Sequence, residues 1–148
     1  MTTDARIAVL DTNVVLDWLL FGNPQCAALQ RALTCATMRW VATVEMRDEL
    51  THVLGRGHLD RWQPDLALLG AQWNKYCVEV PVPPPASHAT RLRCTDTDDQ
   101  KFIDLALACG ARWLLSRDRA VLKLARKAQA RGLTIQTPDA WAAANPAG

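Results

Sequence analysis

The sequence predicts an α/β protein: a mainly parallel sheet with helices on both of its faces. Short apolar runs with the character of buried strands recur along the chain, at Ile7–Leu10, Trp40–Thr43, Val78–Val80, Trp113–Leu115 and Leu133–Ile135. Segments of helical period lie between them, and strands that alternate with helices form parallel sheets covered on both sides. The connection through Gly110 into Trp113 is short. It sets the end of that strand at the sheet edge where α/β proteins keep their sites.

In chain order, Ile7-Ala8-Val9-Leu10 is expected as a fully buried first strand ending at Asp11-Thr12-Asn13. A helix over Val14–Phe21 follows and breaks at Gly22-Asn23-Pro24. The next helix covers Gln25–Leu33, with Ala28, Leu29, Ala32 and Leu33 on its apolar side. After the strand at Trp40–Thr43, Met46, Leu50, Val53 and Leu54 repeat at helical spacing over Glu45–Leu54. Glu49 lies beside that stripe and Gly55 is the expected stop. Pro64 suits the first turn of a helix reaching Tyr76. Val78–Val80 alternates as a short strand, and Pro81–Pro85 forms a stiff extended loop. Residues 87–94 carry no clear pattern. The acidic turn Asp96–Asp99 leads into a helix with Phe102, Leu105, Ala106 and Ala108 on its buried face. Gly110 ends it, where glycine most easily adopts a left-handed backbone. Trp113–Leu115 is then a buried strand closed by Ser116-Arg117-Asp118. A helix over Ala120–Ala130, a strand at Leu133–Ile135 and a helical end at Pro138–Ala144 follow, with the last residues frayed.

The chain has 148 residues, 49% of them hydrophobic and 22% charged, which suits one domain spanning 1–148 with a sizeable core. A net charge of +2 gives no global basic field. Arg117, Arg119, Lys123, Arg126, Lys127 and Arg131 nevertheless crowd one late segment, as the solvated face of a helix or as a phosphate-binding surface. Five cysteines without a C-x-x-C pair point to buried thiols in a reducing compartment. His52, His58 and His88 have no zinc spacing. Asp4 and Arg6 precede too short an apolar run for a signal peptide, and Val14–Phe21, interrupted by Asp17, is too short to span a bilayer. The expected location is cytoplasmic, with no membrane contact. Six tryptophans exceed what a small core needs. Trp62 and Trp73 are candidates for a partner interface or a corner of the core.

The chemistry lies in the carboxylates. An Asp at a helix start is ordinarily a cap, as is an Asp between a strand and the next helix. Asp99 and Asp118 fit those roles when each is taken alone. A parallel sheet, however, aligns the C-terminal ends of its strands, so Asp11 and Asp118 share one edge, with Asp99 near them. Glu49 can reach back from the helix after the second strand. Four acids from distant parts of the chain repel one another unless a cation joins them. A hard divalent ion, Mg2+ or Mn2+, is the natural cation for such oxygen ligands. Such a site suits phosphodiester hydrolysis, since a bound ion polarises a phosphoryl oxygen and activates water. Gly55-Arg56-Gly57 falls far short of a phosphate-binding loop, and no serine, histidine or cysteine arrangement competes.

Asp11-Thr12-Asn13-Val14 after a first strand, Glu49-Leu50 on an early helix, Asp99-x-x-Phe102-x-x-Leu105-Ala106, and Ser116-Arg117-Asp118 together resemble the PIN-domain family. Within it the chain is most similar to the VapC-like toxin branch of bacterial toxin–antitoxin systems. The resemblance covers roughly residues 6–138 and rests on the order and spacing of the motifs together. It implies a three-layer α/β/α sandwich and a metal-dependent endoribonuclease. It also implies RNA as substrate and a protein antitoxin that blocks the site; a homodimer is left open. Carried over, the acidic quartet is Asp11, Glu49, Asp99 and Asp118. Asp11, Asp99 and Asp118 would hold the ion, and Glu49 would orient water or a second ion. Asn13 and Ser116 match positions that support the acids through hydrogen bonds. Glu45, one turn before Glu49, remains an alternative for the inward acid. Asp96 and Asp98 flank Asp99, which is chosen by its spacing to Phe102 and Gly110. Asp17 and Asp104 are expected at the surface or behind the ligands. Arg117, Arg119 and Lys123, beside Asp118, are the expected RNA-binding residues.

Two other functions remain in view. One is a protein of this fold that chiefly docks a partner or RNA with little catalysis, although an intact quartet argues against a decayed site. The other is a receiver-type phosphoacceptor using Asp11 or Asp99. That chemistry needs a lysine after a later strand, where Ser116-Arg117-Asp118 offers an acid.

Overall fold

The computed structural model describes residues 6–87 and 91–145. Asp4, His88 and the terminal residues 146–148 lie outside the described residues. Among the described residues, five strands form one parallel sheet: β1 (Ile7–Leu10), β2 (Arg39–Ala42), β3 (Cys77–Glu79), β4 (Trp113–Leu115) and β5 (Thr134–Gln136). Their order is β3-β2-β1-β4-β5, with every neighbouring pair parallel. The centre is the most apolar part. Ala8 lies between Trp40 of β2 and Trp113 of β4, and Leu10 pairs with Leu115. All of these are buried. Continuous apolar strands of this kind are stable only where both faces of the sheet are covered.

The cover comes from α1 (Thr12–Leu19), α2 (Ala27–Thr34), α3 (Val44–Gly55), α4 (Leu66–Tyr76), α5 (Gln100–Ala108), α6 (Arg119–Leu122), α7 (Ala125–Gln129) and α8 (Pro138–Ala144). Short 3-10 turns stand at Pro24–Cys26, Asp60–Trp62 and Thr97–Asp99. Crossovers between parallel strands are right-handed, so α1–α4, before β3, and α5–α7, between β3 and β5, take opposite faces of the sheet, while α8, after β5, packs back on α2 and the Pro24–Cys26 turn. Phe102, Ile103, Leu105 and Ala106 bury α5 against β1 and β4. Val14, Val15 and Trp18 form the buried side of α1, and Trp18 meets Trp40 of β2. Trp40 is fully buried and packs edge-on against both Trp18 and Trp73. Trp73 is therefore a corner of the core. Trp62 is 45% exposed and meets Phe21 edge-on.

Several boundaries differ from the sequence expectation for identifiable reasons. The Asp11 carbonyl accepts from the N–H groups of Val14 and Val15 at 2.9 and 3.2 Å, so α1 starts at Thr12 directly after the strand. Thr43 takes the N-cap place of α3, which ends β2 at Ala42. The Asp65 carboxylate accepts from the Leu68 N–H at 3.0 Å, so α4 begins at Leu66 and leaves Pro64 outside. Gly55 stays inside the last turn of α3. The single helix expected over Ala120–Ala130 is two, because the Leu124 N–H bonds back only to Val121 and tightens the turn. Val121, Leu124 and Ala128 stay buried across the bend. Gly110, at φ +65°, ends α5 as expected.

Candidate metal centre

The strand order reverses direction between β1 and β4, and crevices at such a switch point are where open α/β sheets bind ligands. Asp11 follows β1 there, and its N–H bonds to the Leu115 carbonyl at 3.0 Å. It is 3% exposed. Ser116, fully buried just past β4, donates its hydroxyl to Asp11 Oδ2 at 2.6 Å and accepts the Asp118 N–H at 3.0 Å. One serine thus fixes both strand-end acids. Asp118 also caps α6, accepting the Ala120 N–H at 2.8 Å. Burial raises the Asp11 pKa to about 6, against the Ser116 hydrogen bond, and the charges of Asp118 and Glu49 push the same way.

Asp99 enters from the other side. The Asp96 carboxylate accepts the Asp98 N–H at 2.9 Å and starts a 3-10 turn over Thr97–Asp99. Residues three apart eclipse in such a turn, which sets Asp96 and Asp99 on one side of it. Oxygens of Asp96, Asp99 and Asp118 come within 4.8 Å of one another. Asp99 is 9% exposed, and no N–H or O–H reaches its Oδ2. Its pKa rises to about 8, through burial first, then a hydrogen bond with Asp118 that favours the protonated form. The charges of Asp11, Asp118 and Asp96 add to that rise. The loop before this turn is pinned to α5: Gln100 accepts the Cys94 N–H at 2.7 Å and donates to the Leu92 carbonyl at 2.8 Å.

Glu49 belongs to a separate arm. Its Oε2 accepts the Thr12 hydroxyl and its Oε1 accepts the Lys101 ammonium. Lys101 also donates to the Asp98 carbonyl. Glu45 is exposed in the first turn of α3, so Glu49 is the glutamate whose charge reaches Asp11. Asn13 accepts the Arg117 N–H at 3.2 Å and steadies the loop after β4 rather than touching an acid.

The expected basic residues divide. The Arg117 guanidinium is taken up by Asp17, by Asp139 at 3.1 Å and by Gln25 at 3.0 Å. Arg119 and Lys123 are exposed on and beside α6. Asp104 pairs with Arg91 at 2.7 Å, away from the acid group. Of the residues proposed from sequence, the structure gathers Asp11, Asp99, Asp118 and Ser116 at one edge and sets Glu49 in its own arm. Asp96, named only as a neighbour of Asp99, completes the close trio. Its signal was the spacing of three between Asp96 and Asp99, obscured because capping already accounts for an Asp before a turn. Thr12 and Lys101 left no signal of their own.

Chemically, the arrangement is a set of hard oxygen donors with one buried carboxylate oxygen lacking any donor. Among the described residues, no His or Cys joins it. The five described cysteines are free, and burial pushes the Cys26 and Cys77 thiols up to about 11 and 12, so neither is a ready nucleophile. Also among the described residues, no helix is long and apolar enough to cross a membrane. A family model described as PIN domain matches residues 7–120, well over half of the chain. The matched stretch runs from β1 past Asp118 and contains all five acids. No curated protein is significantly similar to the chain.

Proposed function

The chain belongs to the PIN-domain family, whose members are generally nucleases, and on that premise we propose that it is a metal-dependent endoribonuclease, the toxin of a toxin–antitoxin pair. It acts as one domain in the cytoplasm. The observation that carries this reading is Asp99 Oδ2, buried without a donor among the carboxylates of Asp96 and Asp118. A buried carboxylate oxygen left unpaired is costly, and a cation removes that cost. Oxygen donors without soft ligands suit magnesium or manganese. The residues therefore fit the ion. When bound, such an ion polarises a phosphoryl oxygen and makes water a nucleophile near neutral pH.

The chain's own residues do the rest. Asp99, Asp118 and Asp11 would hold the ion, with Asp96 beside them. The Ser116 hydroxyl favours the charged form of Asp11, opposing burial. Arg119 and Lys123, exposed next to Asp118, meet RNA phosphates. An alternative reading, a partner- or RNA-binding module with little catalysis, draws on the exposed apolar residues Trp62, Leu66 and Leu68. In the leading reading that surface meets the protein antitoxin. The test is cleavage of a mixed RNA substrate in manganese, with and without chelator. Cleavage lost with chelator supports the reading, and full activity in excess chelator overturns it. RNA bound but not cut in manganese favours the alternative.

A further inference from the structure

We propose that Lys101 is the built-in second cation of this site, so that the chain takes one divalent ion, held by Asp99, Asp118 and Asp11 beside Asp96, and not two. The inference rests on the metal-dependent reading above. The five acids fall into two halves of unlike character. In one, three carboxylates lie within 4.8 Å and Asp99 Oδ2 has no donor. In the other, Glu49 has a protein donor on each oxygen: the Thr12 hydroxyl on Oε2 and the Lys101 ammonium, 2.5 Å away, on Oε1. Asp11 lies between the halves: Ser116 joins it to Asp118, and its neighbour Thr12 donates to Glu49.

Lys101 is well placed to stay where it is. Besides Glu49 it donates to the Asp98 carbonyl at 2.5 Å, which anchors it to the turn carrying Asp99. Glu49 and Lys101 are each about a quarter exposed, 27% and 26%, so the pair is sheltered from full solvation. An ammonium has three donors, and two are used here, which leaves one N–H for a phosphate oxygen. A second divalent ion on the Glu49 side would have to displace this ammonium or sit beside a like charge, and either is unfavourable. Lys101 thus brings the positive charge that a second ion would otherwise bring to the scissile phosphate. It is a positioning residue for Glu49 and a counter-charge for substrate.

The test counts manganese ions bound by the full chain, by equilibrium dialysis and electron paramagnetic resonance, without RNA. The parent should bind one ion per chain. Lys101→Met should bind two, with the broadened spectrum of a close manganese pair, and Lys101→Arg should return the count to one. Two ions in the parent would overturn the inference while leaving the metal-dependent reading intact. So would a Lys101→Met variant, folded by circular dichroism, that still binds one. No ion in the parent would overturn the metal-dependent reading itself, and the role of Lys101 with it.

Discussion

Ser116 makes two hydrogen bonds that neither strand end could replace, one into the Asp11 carboxylate and one from the Asp118 backbone. A group that orients a ligand without touching the ion typically costs about 10–100-fold in affinity when removed. Ser116→Ala should weaken manganese binding by about that factor with the fold retained, as isothermal titration would show. Asp99 gives a pH prediction. Its pKa in the fold is raised from 3.8 to about 8, and that of Asp11 from 3.8 to about 6. The folded chain therefore holds protons that the unfolded chain releases, so stability without metal is greatest below the unfolded values and is lost as pH rises. In chelator, the melting temperature should fall between about pH 4 and pH 8. Asp99→Asn removes the larger part of that slope, and an unchanged slope would show that Asp99 is not the group at work. That Asp11, Asp99 and Asp118 would meet at one edge was legible in the sequence, because each stands at a strand end or a helix start. Lys101 was not, because its partner Glu49 is 52 residues away and the two side chains meet only once the sheet has formed.

At the scale of elements, α6 and the loop before it divide two jobs among three basic residues. Arg117 ties the end of β4 to Asp17 in α1, Gln25 in the following turn and Asp139 in α8. Hydrogen bonds to charged groups are worth more than neutral ones, but partial exposure screens them. Arg117→Ala should cost about 1–2 kcal/mol of stability, read from denaturant melts, chiefly by leaving Asp17 without its partner. Arg119 and Lys123 make no such ties and face solvent. Exchanging both for Gln should leave stability nearly unchanged and flatten the salt dependence of RNA binding. Each lost phosphate contact takes about 0.7 from the slope of log affinity against log salt for a single strand. An unchanged slope would move the RNA path elsewhere. The sequence could not separate these roles, since all three are basic residues within seven positions. Nor could it place the bend between α6 and α7, because Ala120–Ala130 has the composition of one helix. The tighter turn shows only in the backbone, where the Leu124 N–H bonds to the Val121 carbonyl, because Val121, Leu124 and Ala128 have the spacing of one face of a continuous helix.

For the whole molecule, a parallel sheet is a device that brings distant residues to one edge, and here it concentrates negative charge there. The apolar runs at Ile7–Leu10 and Trp113–Leu115 made that sheet legible, because strands buried on both faces cannot be mistaken for surface. The acids collected at its edge oppose folding while they are ionised and unpaired, so the ion should be a folding ligand as well as a reagent. A ligand present at 100 times its dissociation constant stabilises the folded state by about 2.7 kcal/mol. For a chain of this size each kcal/mol moves the melting temperature by roughly 2–4 °C, so magnesium at that excess should raise it by about 5–10 °C over chelator. Asp99→Asn keeps the shape of the side chain and removes one charge from the group. It should melt no lower than the parent in chelator, because repulsion is reduced, yet gain much less from magnesium and lose cleavage. Calcium, larger and more flexible in coordination, should support cleavage poorly even where it stabilises the fold. Equal magnesium shifts in parent and variant, with cleavage retained, would reduce Asp99 to an ordinary residue of the turn before α5.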